Sequence, residues 1–411
     1  MTAESERLDW YFDTWADVAV RVGANVQPGQ PLVVFGTVNH VPLVRAIGRA
    51  AWEAGAGDVQ LVYGDDYDRY LLARYGSDEV LTRAAVAIRA AFDRLLDVEG
   101  ASISVLGDDA PPFFADVDGR RLARAVPLAT IELAQRAINE RRNAWCVVPF
   151  PEAGWATRVF GTPDVDRLAR EIAAACRLDD DDPVASWVEH LASLERRAAA
   201  LDAAEIDEVH LSGPGTNLRI GLLPQSRWLG GRGRTRWGQL HCANLPTEEV
   251  FTTPDLRRVE GTVTATRPVA REGVVVEGIR LEFREGKIVD ASATAGEDSL
   301  LQQLDVDEGA RRLGEVALVA GSRVGATNLL FYNTLFDENA TSHLAYGMAY
   351  ATAVDGAGSL SAEEQLAAGV NQSHVHVDFP VGGPDVEITA TTRDGRRITL
   401  VEGDRWAFTG A

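Results

Sequence analysis

Residues 31–63 read PLVVFGTVNHVPLVRAIGRAAWEAGAGDVQLVY, and this stretch decides the fold class of the N-terminal half. An apolar run covers 31–36, apolar positions recur at helical spacing over 41–54, and a second apolar run covers 59–63. Two buried strands joined by one helix form a β-α-β unit, in which the strands are parallel. Further apolar runs that extend the predicted sheet lie at 102–106 and 145–149.

The end of this N-terminal half is marked by a long helix. Residues 183–203 are amphipathic at helical spacing, and Asp182-Pro183 before them is a good N-cap and first-turn pair. We place the domain boundary just after this helix, so the first domain covers 1–205. The turn at 36–40 (GTVNH) has no nucleotide-binding glycine pattern, so we expect a structural or dimer-forming role.

The C-terminal half, residues 206–411, shows hairpin patterns in place of the β-α-β pattern of the first half. Glu285-Gly286 and Asp394-Gly395 stand between strand-like segments, as the turns of β-hairpins do. We therefore predict an α/β protein in which an N-terminal α/β domain precedes a C-terminal α+β domain with antiparallel or mixed sheet. Every cluster of candidate metal ligands falls in this second domain.

Composition restricts the possible partners. The 411 residues carry 40 Lys and Arg against 61 Asp and Glu, a net charge of -21, and such a surface repels nucleic acid. The first residues (MTAESERLDWYFDTW) form no apolar signal core, and no apolar stretch is long enough to span a membrane. The cysteines, three in number, show no metal or disulfide spacing. We expect a soluble cytoplasmic protein.

The segment His374-Val-His376-Val-Asp378 has the pattern of a strand. Alternation places residues 374, 376 and 378 on one face, and a His and a carboxylate two residues apart can then reach one metal ion. A polar strand face whose groups are all hydrogen-bonded would give the same pattern.

The segment from His343 to Tyr350 (HLAYGMAY) predicts a helix, because Asp337, Asn339 and Thr341 before it are all possible caps. His343 and Tyr350 are two turns apart and would share a helix face, with Gly347 leaving room between them. Ordinary packing of a His and a Tyr in the core is the alternative.

Carboxylates complete the candidate set. Glu248 and Glu249 are adjacent between prolines, and we expect one to face inward and the other outward. Glu315 stands at the start of an apolar strand, where a carboxylate is costly unless it is paired or bound to metal. Several carboxylates, imidazoles and a phenol in one domain suit two divalent cations bridged by water, and that chemistry is hydrolysis.

These segments resemble the signatures of a known family, the thermophilic-type metalloaminopeptidases, which include aminopeptidase T, aminopeptidase S and PepS. The resemblance runs through most of the chain. The matching segments are NLPTEEVFTTP (244–254), LGEVALV (313–319), LFYNTLFDENATSHLAYGMAY (330–350), GVNQSHVHVDF (369–379), WCVVPFPEAGW (145–155) and GTNLRIGL (215–222).

The resemblance implies a dinuclear site with zinc, cobalt or manganese, a homodimer, and removal of N-terminal residues from short peptides. Glu248 is then a general-base candidate or supports the ligands, and His374 is a supporting residue. Proton transfer stays open among Tyr350, Glu249, Glu315 and Glu248. Carried onto the matching positions, the metal ligands are Glu249, Glu315, His343, Tyr350, His376 and Asp378.

Two positions depart from the family pattern and bear on substrate preference. Pro380 stands where a Met is expected, and His241-Cys242 before the Asn244 motif is unusual. Two other activities stay open. A hydrolase of a non-peptide amide could use the same metals, and a mononuclear iron ring-opening dioxygenase could use His343, His376 and Asp378.

Overall fold

The computed structural model describes residues 8–82, 86–107, 112–271 and 274–408. The chain divides into two compact units: Met1–Glu189 with Arg232–Leu245, and His190–Gly231 with Pro246–Ala411. This division differs from a single boundary after residue 205. The C-terminal part of the long helix belongs to the second unit, because its Leu194, Ala198 and Leu201 pack into that unit's core.

A parallel sheet forms the centre of the first unit, as the sequence predicts. Its spatial order is Asp58–Gly64, Pro31–Thr37, Ala101–Leu106 and Ala144–Pro149, and every neighbouring pair is parallel. The helix Val41–Glu53 joins the first two strands along the chain and buries Leu43, Val44 and Ile47. The β-α-β prediction is therefore confirmed.

Helices and one hairpin complete the first unit. Trp15 and Trp155 are fully buried within it. The long helix Pro183–Ala203 begins as predicted, with the Asp182 carboxylate accepting a hydrogen bond from Ala185 N–H at 3.0 Å. The other elements are α-helices Asp9–Val18, Asp66–Tyr75, Val86–Asp97, Gly119–Arg124, Leu128–Asn139, Ala153–Phe160 and Val165–Ala175, the π-helix Ala19–Gly23, 3-10 helices Val38–His40 and Pro112–Asp116, and the hairpin strands Gly233–Arg234 and Leu240–His241.

An eight-stranded antiparallel sheet is the larger sheet of the second unit. Both predicted hairpins belong to it: Glu285-Gly286 and Asp394-Gly395 form turns between paired strands, with positive φ at Glu285, Gly286 and Gly395. In spatial order its strands are Lys287–Ser292, Arg280–Arg284, Pro254–Thr264, Thr216–Leu222, Ile206–Gly213, Glu387–Thr392, Arg397–Glu402 and Arg405–Trp406.

A five-stranded antiparallel sheet carries the candidate ligands, and we call it the site sheet. In spatial order its strands are His376–Pro380, His343–Gly347, Leu313–Leu318, Val250–Thr252 and Leu229–Gly230. The remaining elements of the second unit are the hairpin Val269–Arg271 with Val274–Val276, α-helices Glu297–Leu304, Arg323–Ala326, Thr334–Asp337 and Ala362–Ala367, and 3-10 helices Gly309–Arg311, Glu338–Ala340, Ala351–Ala353 and Ala357–Ser359.

The helix predicted from His343 to Tyr350 is wrong, because His343–Gly347 is an interior strand of the site sheet. It pairs with Leu313–Leu318 on one side and His376–Pro380 on the other. The space expected beside Gly347 is also filled: a Cβ there would lie 2.1 Å from the carbonyl oxygen of Val375. Gly347 is required for this close approach and for its φ of 101°.

One face of the site sheet packs into the core of the second unit. Val316, Leu318, Leu344 and Phe379 point to this face, and each is at most 1% exposed. Complete burial of such side chains contributes about 1.5–3 kcal/mol each, so this packing fixes the sheet and leaves the other face to polar residues. Among the residues that the structure describes, no helix is long and apolar enough to cross a membrane.

Candidate metal centre

The register of the site sheet brings the candidate ligands of three strands onto one face. Glu315 pairs with Ala345, which in turn pairs with Asp378, and cross-strand partners point to the same side of a sheet. His343 and His376 lie on the same face because they alternate with the core residues of their strands. The residues that alternate with the core on the strand of His343 are the small Ala345 and Gly347, so His343 is the one long side chain that this strand contributes to the face.

These side chains form two groups that share one residue. Glu249, Glu315 and His343 form the first, and Glu315, His376 and Asp378 form the second, each with ligand atoms within 4.8 Å of one another. Glu249 precedes the strand Val250–Thr252 and reaches His343, with its Oε2 3.1 Å from Nε2. In the second group, His376 Nε2 lies 3.3 Å from both Glu315 Oε2 and Asp378 Oδ1.

Both histidines are oriented by backbone carbonyls. Nδ1 of His343 lies 3.3 Å from the carbonyl oxygen of Thr341, and Nδ1 of His376 lies 2.7 Å from that of Met348. With the Nδ1 proton donated to the backbone, Nε2 of each ring is directed at the carboxylates. This arrangement is typical of histidines that bind a metal through Nε2.

The electrostatics of the face are those of an anionic cluster. Burial raises the pKa of Glu315 to about 7, with the nearby charges of Glu249 and Asp378 adding to the rise. Burial lowers the pKa of both imidazoles, but adjacent carboxylates outweigh it: Glu249 raises that of His343 to about 10, and Asp378 and Glu315 raise that of His376 to about 11. Asp378 is desolvated, yet its contact with His376 lowers its pKa.

The donor set fits divalent cations. Within the described part of the chain, Oε2 of Glu249 is buried and accepts no hydrogen bond, although it faces His343. In the metal-free protein the protonated His343 imidazole is the cation beside this oxygen, and a metal ion that displaced that proton would take its place. Mixed imidazole and carboxylate ligands suit zinc, cobalt and manganese alike.

Tyr350 lies beside this cluster but in neither three-residue group. Its ring centre is 4.9 Å from that of His376 and 5.6 Å from that of Phe251, and the residue is 38% exposed. Its carbonyl oxygen accepts a hydrogen bond from the Thr253 hydroxyl at 2.9 Å, which fixes the backbone there. Loss of solvent around the phenol and the charge of Glu315 raise its pKa.

The two predicted supporting residues, Glu248 and His374, each pair with a residue outside the ligand set. The expectation that Glu248 and Glu249 face opposite ways is wrong, because both turn inward: Glu248 is buried and its Oε2 lies 3.5 Å from His190 Nε2. His374 has an 89% exposed side chain and pairs with Asp307 at 3.0 Å, so it points away from the ligands. The strand pattern predicted from residue 374 is too long at its start, since the strand begins at His376.

Glu338 is a site residue that the sequence patterns do not reveal. It lies in the 3-10 helix Glu338–Ala340 and lines a cavity together with Asp378 and Arg271. Loss of solvent and the charges of Asp378 and Glu249 raise its pKa well above the usual range. The available signal is its place between Asp337 and Asn339, two residues that the sequence suggests only as helix caps.

The two unusual positions have different settings. Pro380 pairs with His343 in the site sheet and lines the same cavity as Glu338, so it borders the candidate centre. His241 belongs to the first unit, where its Nδ1 lies 3.0 Å from the carbonyl oxygen of Trp145. Burial lowers the pKa of this imidazole, which suits packing within that unit.

The chain is similar to aminopeptidases along its whole length. It is 40% identical to aminopeptidase 2 of Geobacillus stearothermophilus over 409 residues, which cover 98% of this chain and 99% of that protein. It is 39% identical to aminopeptidase T of Thermus aquaticus over 400 residues, or 96% and 97% of the two chains. Among solved structures, wild-type AmpT from Thermus thermophilus superposes with a TM-score of 0.88 at 36% identity, covering 98% of this chain and 100% of that one. The profile of the thermophilic metalloprotease family (M29) matches residues 9–406, and the chain therefore belongs to that family.

Proposed function

We propose that this protein removes the N-terminal residue of short peptides with two divalent metal ions bound on the site sheet. The protein is a metalloaminopeptidase, a hydrolase of peptide bonds, as its family and its relatives along the full chain are. The number of ions and their ligands are our proposal. The ligands we assign are Glu249, Glu315, His343, Tyr350, His376 and Asp378.

The observation that carries this proposal is the position of Glu315 in both three-residue groups. Its Oε1 lies 3.9 Å from His343 Nε2 and its Oε2 3.3 Å from His376 Nε2. Each oxygen can therefore serve a different ion, and each ion would also have one imidazole and one further carboxylate. A shared carboxylate of this kind supports two ions rather than one.

Divalent ions on such ligands lower the pKa of a water molecule and polarise a carbonyl oxygen. The protein's own residues provide the geometry for this chemistry. The Nδ1 contacts to Thr341 and Met348 fix both imidazoles, and the strand register fixes Glu315 opposite Asp378 across Ala345. Partial burial excludes bulk water from the carboxylates, which strengthens their interactions with cations.

Tyr350 is suited to act on the substrate. Its ring centre lies 4.9 Å from that of His376 and the residue is 38% exposed, so a substrate can reach the phenol. Beyond its place in the ligand set, we therefore assign Tyr350 to proton transfer or hydrogen bonding at the scissile bond. Glu248 pairs with His190 instead, so we assign it to holding the Glu249 segment.

The geometry also bears on the iron dioxygenase alternative. That chemistry uses two histidines and one carboxylate on a single ion. Here His343 and His376 fall in different groups, each with two carboxylates. This separation favours hydrolysis over ring-opening oxygenation.

The test is to strip the purified protein with a chelator and to add back zinc, cobalt, manganese or iron(II). Bound metal is counted at each step, and a panel of aminoacyl anilides and dipeptides is assayed together with oxygen consumption. We expect two metal ions per chain and restored cleavage. One iron ion per chain with oxygen consumption and no cleavage would replace the proposal with the dioxygenase, and two ions without cleavage would move the substrate to a non-peptide amide.

We further propose the homodimer and the cytoplasmic location that the sequence suggests. The first has support from the family resemblance, and the second from the three cysteines, all of them free. Light scattering of the purified protein at several concentrations tests the homodimer. Fractionation of the producing cell tests the location.

A further inference from the structure

Among the residues that the structure describes, Glu338 is a carboxylate beside this cluster that neither metal group uses. The groups consist of Glu249, Glu315 and His343, and of Glu315, His376 and Asp378. Glu338 comes from outside the sheet, on the short 3-10 helix after Thr334–Asp337. It lines the cavity that borders Asp378 and Pro380, beside the ligands rather than among them.

Its surroundings are anionic. The charges of Asp378, Glu249 and Glu315 raise the pKa of Glu338 and that of His343 lowers it, while the Arg271 side chain lines the same cavity. Among the residues that the structure describes, no basic side chain pairs with Glu338, and the Asn339 amide, 3.4 Å from Oε1, is its hydrogen-bond donor. A half-buried carboxylate in such a place is costly unless a cation approaches it.

Asn339 holds Glu338 relative to the metal ligands. Its carboxamide oxygen accepts the backbone N–H of Glu248 at 2.6 Å, and its amide group donates to the carbonyl oxygen of Leu335 at 2.8 Å. The residue is 1% exposed, and the Ser322 hydroxyl donates to its carbonyl oxygen at 2.6 Å. Glu338 is therefore linked through Asn339 to the segment that carries Glu249.

An aminopeptidase must recognise a free α-ammonium group, and recognition of a cation beside two metal ions requires a carboxylate that the metals leave available. We propose that Glu338 binds the α-ammonium group of the substrate and that Asn339 positions it. This inference rests on the proposed function. It assigns the small cavity beside Asp378 to the ammonium group itself, with Pro380 as part of the wall.

The test compares an aminoacyl anilide with an analogue in which a hydroxyl replaces the α-amine. In Glu338→Gln we expect kcat/KM for the anilide to fall about 10- to 100-fold, because a hydrogen bond between charged groups is lost. Cleavage of the hydroxyl analogue should change less than about threefold, and the count of bound metal should stay at the wild-type value. Glu338→Asp should restore part of the preference for the amine.

A second readout does not depend on turnover. Calorimetry on the metal-loaded protein compares L-leucinol with its diol analogue, in which a hydroxyl replaces the amine. Wild-type protein should prefer leucinol, and Glu338→Gln should lose that preference, while Glu363→Gln on the exposed helix Ala362–Ala367 should keep it.

Three results would overturn the inference. Loss of bound metal in Glu338→Gln would make Glu338 a metal ligand, an equal fall for both anilides would make its role structural, and an unchanged preference would remove it from recognition. If wild-type protein cleaves neither anilide, the proposed function fails, and the leucinol comparison still decides whether Glu338 binds an ammonium group.

Discussion

The carboxylate of Glu315 lies 3.3 Å from the imidazole of His376, measured from Oε2 to Nε2. The other carboxylate oxygen faces His343, and the side chain is 5% exposed. Glu315 is therefore the residue on which both three-residue groups depend, whereas Glu249 and Asp378 each belong to one. The two-ion proposal can therefore be tested by counting the metal ions bound to variants of these three residues.

We predict that Glu315→Gln weakens metal binding at both positions, whereas Asp378→Asn and Glu249→Gln each weaken one. Changes to residues that only support a ligand cost about 10- to 100-fold in metal affinity, and loss of a ligand should exceed this. Calorimetric titration of the stripped variants with zinc would measure each site. Selective loss of one site in Glu315→Gln would show that this carboxylate does not bridge two ions.

Metal affinity should depend strongly on pH. A metal must displace the protons of His343 and His376, whose pKa values are raised to about 10 and about 11, and of Glu315, whose pKa is about 7. Because protons compete with the metal, apparent affinity should rise steadily as pH increases from about 6 to about 9. Calorimetry in buffers of different ionisation enthalpy would count the protons released. Binding that is independent of pH would contradict the protonated imidazoles.

The folding stability of the metal-free protein should change with pH in the opposite direction to its metal affinity. The folded pKa of Glu315 is raised above its unfolded value, so its protonated form contributes stability below about pH 4 that is lost as pH rises through about 7. Metal-free protein should then be less stable at pH 8 than at pH 6 as far as Glu315 is concerned. The increase in melting temperature caused by zinc should be larger at the higher pH.

The parallel sheet of the first unit can be predicted because its signals are local. The apolar runs and the helical spacing between 31 and 63 each indicate one element, and a right-handed β-α-β connection leaves one common arrangement. The hairpins at Glu285-Gly286 and Asp394-Gly395 can be predicted equally well, because the residues that favour the turn are the turn residues themselves.

The strand His343–Gly347 cannot be recognised in the same way. Its sequence HLAYG has no β-branched residue and follows several possible helix caps, so local preference favours a helix. Pairing with two neighbouring strands and full burial override that preference. The predicted pairing of His343 with Tyr350 on one helix face goes with the helix; Tyr350 instead lies beside His376, with ring centres 4.9 Å apart.

Sequence patterns do not identify Glu338 for a related reason. Acidic residues near a helix terminus usually face water and interact with the helix dipole, so their sequence carries no sign of a site. What brings Glu338 toward Asp378 is the Asn339 carboxamide bound to Glu248, a contact across 91 residues of sequence. Sequence patterns do not contain such a contact, although the family resemblance places the surrounding segment near the metals.

Gly347 should tolerate no side chain. Its φ of 101° costs an L-residue about 1–3 kcal/mol, and a Cβ would also lie 2.1 Å from the carbonyl oxygen of Val375. We expect Gly347→Ala to lower the free energy of unfolding by at least about 3 kcal/mol. Urea unfolding measures this loss.

The matched control is Gly356→Ala. Gly356 has a φ of 79°, but no atom lies within 4 Å of the point where a Cβ would stand, so only the backbone cost applies. Its loss should stay near about 1–2 kcal/mol. Equal losses in the two variants would show that the Val375 carbonyl moves away without cost.

Asp307 should anchor the turn that leads into the strand of His376. Its carboxylate accepts hydrogen bonds from the backbone N–H groups of His374 at 2.7 Å and Ala310 at 2.8 Å, and from the Ser373 hydroxyl at 2.8 Å. We expect Asp307→Asn to lower the free energy of unfolding by about 1 kcal/mol at neutral pH, because an amide nitrogen cannot accept these bonds. The variant should also bind zinc more weakly, since His376 follows two residues after His374.

The acid dependence of this effect has a definite direction. Desolvation raises the pKa of Asp307, but the bonds from His374 and Ser373 outweigh it and hold the pKa at about 2, below its unfolded value. The stability that Asp307 contributes is therefore present above about pH 4 and is lost as pH falls through about 2. Urea unfolding at pH 7, 5 and 3 should show the gap between wild type and Asp307→Asn closing only at the lowest pH, while Glu308→Gln, an exposed neighbour, should match wild type throughout. A gap that closes already near pH 5 would show that these hydrogen bonds do not depress the pKa of Asp307, and the anchoring role would then rest on packing alone.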